Sequence, residues 1–282
     1  MHLRAAAIND LSGLGRCSLT ADIAVLAAMG IEACPLPTAV LTAQTGYAGF
    51  RCVPFADHME SYRKHWQELG VSFQGILSGY LASPDTVRRT AEFVETFRRP
   101  GVTYLCDPVL GDNGRVYRGF TDASVEAMRS LALRADLLTP NLTEFCILTG
   151  TDMDAMQKLG EAHPDELFAA LARKAAFFKD TDTVITGIPF RNEEGRQMLC
   201  NLVLTQGTQV PASFPHLGGT YSGTGDLFAA VLLGGRLQHR DLEASVRLAG
   251  TFISRGIESA RRNHTPYNDG IDYESCLSLL LP

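Results

Sequence analysis

The sequence predicts an α/β protein in which helices cover both faces of a largely parallel sheet. Short apolar runs alternate with longer amphipathic segments along the 282 residues, a pattern that favours parallel strands joined by helical crossovers. Hydrophobic residues make up 45% of the chain and charged residues 20%, which is ordinary globular composition and enough for a large core. Because no internal repeat or linker interrupts the pattern, we predict one domain over residues 1–282.

The predicted elements alternate in order along the chain. The apolar run 4–8 predicts a buried strand, and the polar loop 9–18 leads into a helix over 19–29. Pro84 suits the first turn of a helix over 84–98, and Gly150 suits the end of the helix that begins at Leu142. Further strands are predicted over 32–40, 75–79, 102–110, within 135–141 and over 182–187, with a hairpin over 196–210 that turns at Gln-Gly-Thr, and further helices over 57–69, 121–133, 164–179 and 240–261.

Composition excludes several classes of partner. The net charge is −6, with no run of Lys or Arg longer than a pair, which argues against nucleic acid or an anionic membrane as a partner. No apolar run approaches the roughly 20 residues that span a bilayer, and the first residues lack a signal-peptide pattern, so we expect a cytoplasmic protein. The seven cysteines are scattered without a Cys-x-x-Cys pair, which favours buried thiols over disulfides or structural zinc.

The stretch 218–235 carries the strongest functional signal. Glycines at 218, 219, 223 and 225 precede one carboxylate, Asp226, and a run of helix formers follows. Glycines let successive N–H groups point into one concavity, and a helix start adds its dipole, so the stretch suits a phosphate. An acid at this position would repel a phosphate. That repulsion is tolerable if the acid takes a proton from a nucleophile. From this stretch alone, a helix-capping Asp and a catalytic Asp are equally good explanations.

Polar residues also follow most of the other predicted strands. Ligands bind at the carboxyl ends of the strands in parallel sheets, so these residues predict one composite site. They are Asn9, Asp10, Asp107, Asp112, Asn141, Glu144, Thr186 and Asp226.

Three of these segments have a structural alternative. Asp107 and Asp112 suit magnesium, but a turn stabilised by Asp side chains gives the same pattern. Asn141 and Glu144 share one helix face, and they also suit a capping pair. The loop 9–18 contains two glycines without the full Gly-x-Gly-x-x-Gly, so a plain strand–helix turn is favoured over dinucleotide binding.

Five segments occur in a characteristic order and spacing over nearly the whole chain. They are TAQTGY at 42–47, LSGY at 77–80, CDPVLGD at 106–112, TPNLTE at 139–144 and GTGDLFAA at 223–230. Together they resemble the ribokinase-type small-molecule kinases and, within them, the pyridoxal kinase family. The resemblance implies a ribokinase-like three-layer α/β/α sandwich with a mostly parallel central sheet and a short lid segment between Asp112 and Tyr117.

The resemblance also implies a role for each site residue. Asp226 would be the base that takes the proton from the substrate's primary hydroxyl, and the N–H groups of Gly223, Thr224 and Gly225 would hold the transferring phosphoryl. The remaining residues divide by ligand into Asp107 and Glu144 for Mg²⁺, Asp112, Tyr117, Thr139, Asn141 and Thr186 for ATP, and Asp10, Gln44, Thr45 and Tyr80 for the pyridine ring.

The implied reaction is ATP-dependent phosphorylation of the 5′-hydroxymethyl group of pyridoxal, pyridoxine or pyridoxamine. Mg²⁺, a monovalent cation such as K⁺ and a homodimer are expected from the family. Asp10 stands where the family often has Ser, and Gln44 where it often has His. A hydroxymethylpyrimidine kinase of the same fold is therefore one alternative, and a vitamer-binding protein without turnover is another.

Overall fold

The computed structural model describes residues 2–218 and 221–282. Gly219 and Thr220, within the predicted phosphate-binding stretch, lie outside the described residues. The chain divides into two compact units, the first comprising Met1–Asp107 and Leu217–Pro282 and the second comprising Pro108–His216. The single domain over 1–282 stays a prediction.

Strands and helices alternate along the chain, and the predicted elements occur in the predicted order. The strands are β1 (Arg4–Ser12), β2 (Glu32–Leu41), β3 (Cys52–Pro54), β4 (Gly75–Ser78), β5 (Thr103–Cys106), β6 (Gly111–Asp112), β7 (Arg115–Val116), β8 (Leu137–Leu138), β9 (Asp182–Arg191), β10 (Gln197–Thr205) and β11 (Thr208–Pro215). The helices are α1 (Ser18–Ala28), α2 (Ala56–Glu68), α3 (Pro84–Phe97), α4 (Asp122–Ala132), α5 (Leu142–Thr149), α6 (Met153–Ala162), α7 (Pro164–Ala175), α8 (Thr224–Leu237) and α9 (Leu242–Arg262).

The first unit is built on strands in the order β5-β4-β1-β2-β3. Strand β1 pairs in parallel with β2 and β4, β4 pairs in parallel with β5, and β3 joins antiparallel at the edge. The apolar side chains of 5–8 are fully buried, as expected for a parallel sheet that is covered on both faces. These pairings confirm the α/β class and the mostly parallel sheet.

Strand β1 is longer than predicted, because residues 9–12 continue the strand instead of starting a loop. Its pairing with β2 shifts register between Asn9 and Leu11, an irregularity that redirects side chains. Asn9, Asp10 and Ser12 are only 1%, 4% and 2% exposed. Polarity predicted a loop here, and the prediction was wrong because hydrogen bonds satisfy these polar groups inside the unit.

The second unit carries its strands in the order β11-β10-β9-β8, with β8 and β9 parallel and the others antiparallel. The β10–β11 hairpin turns at Gly207, whose φ is 72°, which confirms the predicted Gln-Gly-Thr turn. A second hairpin, β6–β7, occupies the segment predicted as a lid and turns at Asn113 and Gly114, whose φ angles are 51° and 75°. Asn-Gly is a strong hairpin signal, although this hairpin was not predicted.

Most predicted helices are confirmed within a few residues. Ser83 caps α3, and Pro84 lies in its first turn. The strand predicted over 102–110 ends at Cys106, because Pro108 cannot donate to a ladder. Helix α6 and strand β3 were not predicted. Within the described ranges, no helix is long and apolar enough to cross a bilayer.

Candidate active site

Asp226 lies in the first turn of α8, and Gly223 occupies the cap position of that helix. Gly223 has φ of 81°, and a Cβ added there would lie 2.8 Å from Cα of Cys17, so only glycine fits. The helix-cap explanation of Asp226 is therefore wrong. Its carboxylate instead accepts two distant donors, Nδ2 of Asn9 at 2.9 Å to Oδ1 and the backbone N–H of Ser18 at 2.8 Å to Oδ2.

The electrostatic setting of Asp226 suits proton transfer. Burial raises the pKa of Asp226 to about 6, against the opposing effect of the bonds from Ser18 and Asn9, and the nearby charge of Asp10 raises it further. A carboxylate with this pKa is ionised at neutral pH and still basic enough to accept a proton from a reacting hydroxyl.

The start of α8 also suits an anion. The first N–H groups of a helix have no partner within the helix, and the dipole is positive at that end. A Cβ added at Gly225 would lie 3.7 Å from Oδ2 of Asp107, so the Asp107 carboxyl faces this first turn. Asp107 follows β5, is 7% exposed and donates its backbone N–H to the carbonyl oxygen of Ser78 at 2.8 Å.

Asn9 links Asp226 to the sheet of the first unit. Its Nδ2 donates to Oδ1 of Asp226 and to Oδ2 of Asp22, at 2.9 and 3.0 Å. Its Oδ1 accepts the backbone N–H groups of Asp10 and Tyr80, at 3.0 and 2.8 Å. The amide therefore uses both of its hydrogens and its oxygen, and it fixes one orientation of the Asp226 carboxylate.

Asp22, in α1, is a site residue that the sequence did not reveal. It is fully buried, and burial raises its pKa well above the usual range, with Asp226 as the next cause. A single Asp in an apolar helix carries no local signal, since its partner Asn9 lies thirteen residues away on β1.

Two residues predicted to contact the ring, Asp10 and Tyr80, donate their backbone N–H groups to Asn9. The Ser12 hydroxyl donates to Oδ2 of Asp10 at 2.8 Å. Burial raises the pKa of Asp10, and hydrogen bonds from Ser18 and Ser12 oppose that rise. Burial also raises the pKa of Tyr80, to which the charge of Asp10 adds. Asp10 and Tyr80 therefore share one electrostatic environment.

Gln44 and Thr45 have different surroundings. Nε2 of Gln44 donates to the carbonyl oxygen of Asn268 at 3.0 Å, and its Oε1 accepts the N–H of Gly46 at 2.7 Å. Tyr47 donates to a carboxylate oxygen of Asp269. These bonds tie the loop 42–47 to the C-terminal segment, whereas Thr45 is exposed. A ring-binding role for Gln44 stays a prediction.

In the second unit, Asn141 and Glu144 form the capping pair that was one explanation of their spacing. Oδ1 of Asn141 accepts the N–H of Glu144, and Oε2 of Glu144 accepts the N–H of Asn141, both at 2.9 Å. Oε1 of Glu144 accepts the N–H of Leu110 at 3.1 Å. A carboxylate oxygen has a second lone pair, so capping leaves acceptor capacity for another ligand.

The residues predicted for ATP all lie in the second unit. Nδ2 of Asn141 donates to the carbonyl oxygen of Gly111 at 2.8 Å. The backbone N–H of Thr186 donates to the carbonyl oxygen of Pro140, also at 2.8 Å. Asp112 accepts the N–H of Asn113 at 2.8 Å, which confirms the Asp-stabilised turn. Thr139 is 2% exposed and Tyr117 is 42% exposed.

The donor set is compatible with magnesium. Among the residues that the structure describes, no three His, Cys, Asp or Glu side chains are grouped to hold a metal. Mg²⁺ usually binds through one or two carboxylates plus phosphate oxygens and water. The Asp107 carboxyl beside the start of α8 provides a donor of that kind.

The α/β fold and the carboxylate beyond a glycine turn at a helix start match the class of ribokinase-like small-molecule kinases that the sequence resembles. The chain belongs to the phosphomethylpyrimidine kinase family, whose model matches residues 15–270. A crystal structure from Bacteroides thetaiotaomicron, described as a phosphomethylpyrimidine kinase, is similar at 34% identity with a TM-score of 0.88, over 100% of this chain and 95% of that one. A second crystal form of that protein, with pyridoxal, has a TM-score of 0.84.

Curated relatives carry the name pyridoxal kinase. That of Dictyostelium discoideum is 26% identical over 73% of this chain and 69% of its own length. That of Rubrobacter xylanophilus is 28% identical over 90% of this chain and 87% of its own length. Other curated relatives are matched over only 48–57% of their own length.

Proposed function

We propose that this protein is an ATP-dependent kinase that phosphorylates the 5′-hydroxymethyl group of pyridoxal, pyridoxine and pyridoxamine. The observation that carries the proposal is the Asp226 carboxylate, held by Asn9 and Ser18 beside the start of α8. Its raised pKa suits a general base, and the helix start suits a phosphoryl group. The relatives named pyridoxal kinase and the Bacteroides crystal form with pyridoxal support the substrate.

In this proposal, Asp226 accepts the proton of the primary hydroxyl while the alcohol oxygen forms a bond to the γ-phosphorus of ATP. The bond from that phosphorus to the β–γ bridging oxygen breaks, and ADP leaves with the electron pair. The N–H groups of Gly223, Thr224 and Gly225 hold the oxygens of the transferring phosphoryl. Asp10 and Tyr80 are proposed to contact the ring, together with Gln44 and Thr45.

ATP is proposed to bind the residues of the second unit that were predicted for it, Asp112, Tyr117, Thr139, Asn141 and Thr186. Asp107 and Glu144 would hold Mg²⁺, which when bound neutralises charge on the phosphates. A requirement for K⁺, a homodimer and a cytoplasmic location stay predictions.

The test is a substrate panel with Mg-ATP, in which ADP release and the phosphorylated product are both measured. We expect turnover of the B6 vitamers and a loss of about 10³-fold in kcat for Asp226→Asn, with ATP affinity nearly unchanged. Asp241→Asn is the matched control, since Asp241 only caps α9 and Asn caps equally well. Near-normal activity of Asp226→Asn would overturn the role of the base.

The family assignment favours one second candidate, a hydroxymethylpyrimidine kinase. The buried Asp10 is the residue that makes the ring uncertain, because an acid can pair with more than one protonated heterocycle. A pyrimidine alcohol with a higher kcat/KM than all three vitamers would replace the first proposal with this one. An absence of ADP above background with every alcohol would instead indicate a binding protein.

A further inference from the structure

Asp22 is a buried acid that the proposed reaction does not use directly. Its side chain is fully buried in α1. Oδ2 accepts Nδ2 of Asn9 at 3.0 Å, whereas Oδ1 has no hydrogen-bond partner among the described residues. A buried carboxyl group with one oxygen unsatisfied destabilises the fold. Its presence at this position calls for a functional explanation.

The geometry of Asn9 supplies that explanation. One hydrogen of its amide points to Asp226 and the other to Asp22, while its oxygen accepts two backbone N–H groups. Asp22 thus accepts the hydrogen bond from the second hydrogen of the amide. Without this acceptor, one hydrogen of Asn9 would lack a partner, and the amide would be held toward Asp226 only by the bonds to its oxygen and by Asp226 itself.

Gly79 provides the space for this arrangement. A Cβ added there would lie 2.6 Å from Cγ of Asn9 and 2.7 Å from its Oδ1, closer than real Cβ contacts. The end of β4, strand β1 and helices α1 and α8 therefore all contribute to one fixed amide. The four hydrogen-bond partners and the close contact with Gly79 together restrict rotation of the amide.

Asp22 provides an acceptor in surroundings that disfavour its charged form. Burial raises its pKa, and Asp226, Asp107 and Asp10 all raise it further, against the opposing bond from Asn9. These acidic neighbours lie on α8, at the end of β5 and on β1. A neutral carboxylic acid still accepts a hydrogen bond through its carbonyl oxygen.

We propose that Asp22 is a positioning residue for Asp226, which it holds through Asn9 in the orientation that accepts the substrate's proton. This inference rests on the proposed function, in which Asp226 is the base. Asp22 does not touch the substrate, so its removal should act on kcat and leave binding intact.

The experiment compares Asp22→Leu, which removes the acceptor and keeps the branch at Cγ, with Asp22→Asn, whose amide oxygen can accept the same bond. We expect Asp22→Leu to lower kcat about 10- to 100-fold, because small misplacements of a catalytic group have effects of this size. Its KM for ATP and pyridoxal should stay within about threefold. Asp22→Asn should restore most of the lost kcat. If Asp22→Leu does not fold, Asp22→Ser, whose shorter side chain cannot reach Asn9, replaces it.

A double-mutant cycle with Asn9→Ala tests the route of the effect. If Asp22 acts through Asn9, Asp22→Leu should lower kcat no further in the Asn9→Ala background. Wild-type kcat in Asp22→Leu, equal losses in the Leu and Asn variants, or additive losses in the cycle would each overturn the inference. Wild-type protein and Asp226→Asn are assayed in parallel. An inactive wild type, or an active Asp226→Asn, refutes the proposed function rather than the role of Asp22.

Discussion

Gly79→Ala tests the site without altering any of its polar groups. The added Cβ would lie 2.6 Å from Cγ of Asn9, whereas an ordinary contact begins at 3.4 Å, so the amide has to retreat by about 0.8 Å. The bonds from Asn9 to Asp226 and Asp22, now 2.9 and 3.0 Å, would then exceed the usual hydrogen-bond range. We expect a loss of about 2–4 kcal/mol in the free energy of unfolding and of about 100-fold in kcat.

The assay pairs steady-state kinetics with urea unfolding. Gly75→Ala, at the start of β4, which Gly79 directly follows, is the matched control, because a Cβ there meets only the flexible ends of Leu233 and Leu237, at 3.0 Å. The control should lose some stability and keep its kcat within about twofold, since nothing in the site moves. Normal kcat in Gly79→Ala would refute the reasoning, because the amide could then move without consequence for Asp226.

Three further predictions concern titration, capping and thiol reactivity. Since burial raises the pKa of Asp226 to about 6 and its ionised form is the proposed base, kcat/KM should fall tenfold per pH unit below about pH 6. Asn9→Ala removes a bond that lowers this pKa, so the midpoint of the remaining activity should move to higher pH; an unmoved midpoint would contradict this. Asn141→Ala should lower the free energy of unfolding by about 1–3 kcal/mol in urea titrations, through loss of the cap and of the bond to Gly111. Cys52 is exposed and should react first with a thiol reagent, whereas Cys17, whose pKa burial raises to about 12, should react only on unfolding, as peptide mapping would reveal.

Local patterns predicted those features that depend on local interactions. The α/β alternation, the Gln-Gly-Thr turn and the pair Asn141 and Glu144 all follow from residues close in sequence, and the structure contains each of them. For Asn141 and Glu144 the sequence allowed two roles. The structure confirms the capping role, and the roles toward ATP and metal stay predictions.

Features that depend on distant partners could not be predicted in this way. Asn9, Asp10 and Ser12 are polar, so they indicated a loop, yet they lie in a strand, where Asn9 has its partners on α1 and α8. Asp22 has no neighbour in sequence that explains it, because its significance comes only from Asn9 and Asp226. The β6–β7 hairpin is different, since Asn113-Gly114 carried a sufficient local signal that was not used.

The bonds that hold Asp226 also have a consequence for biosynthesis. Asn9 and Ser18 are separated from Asp226 by 217 and 208 residues, and the unit that contains all three is interrupted by Pro108–His216. During translation, β1 and α1 leave the ribosome long before α8 is synthesised. The apolar surface of α1 that packs against α8 therefore stays exposed until then. The surroundings of Asp226 are therefore completed late in synthesis, and a product stalled before α8 would lack Asp226 altogether.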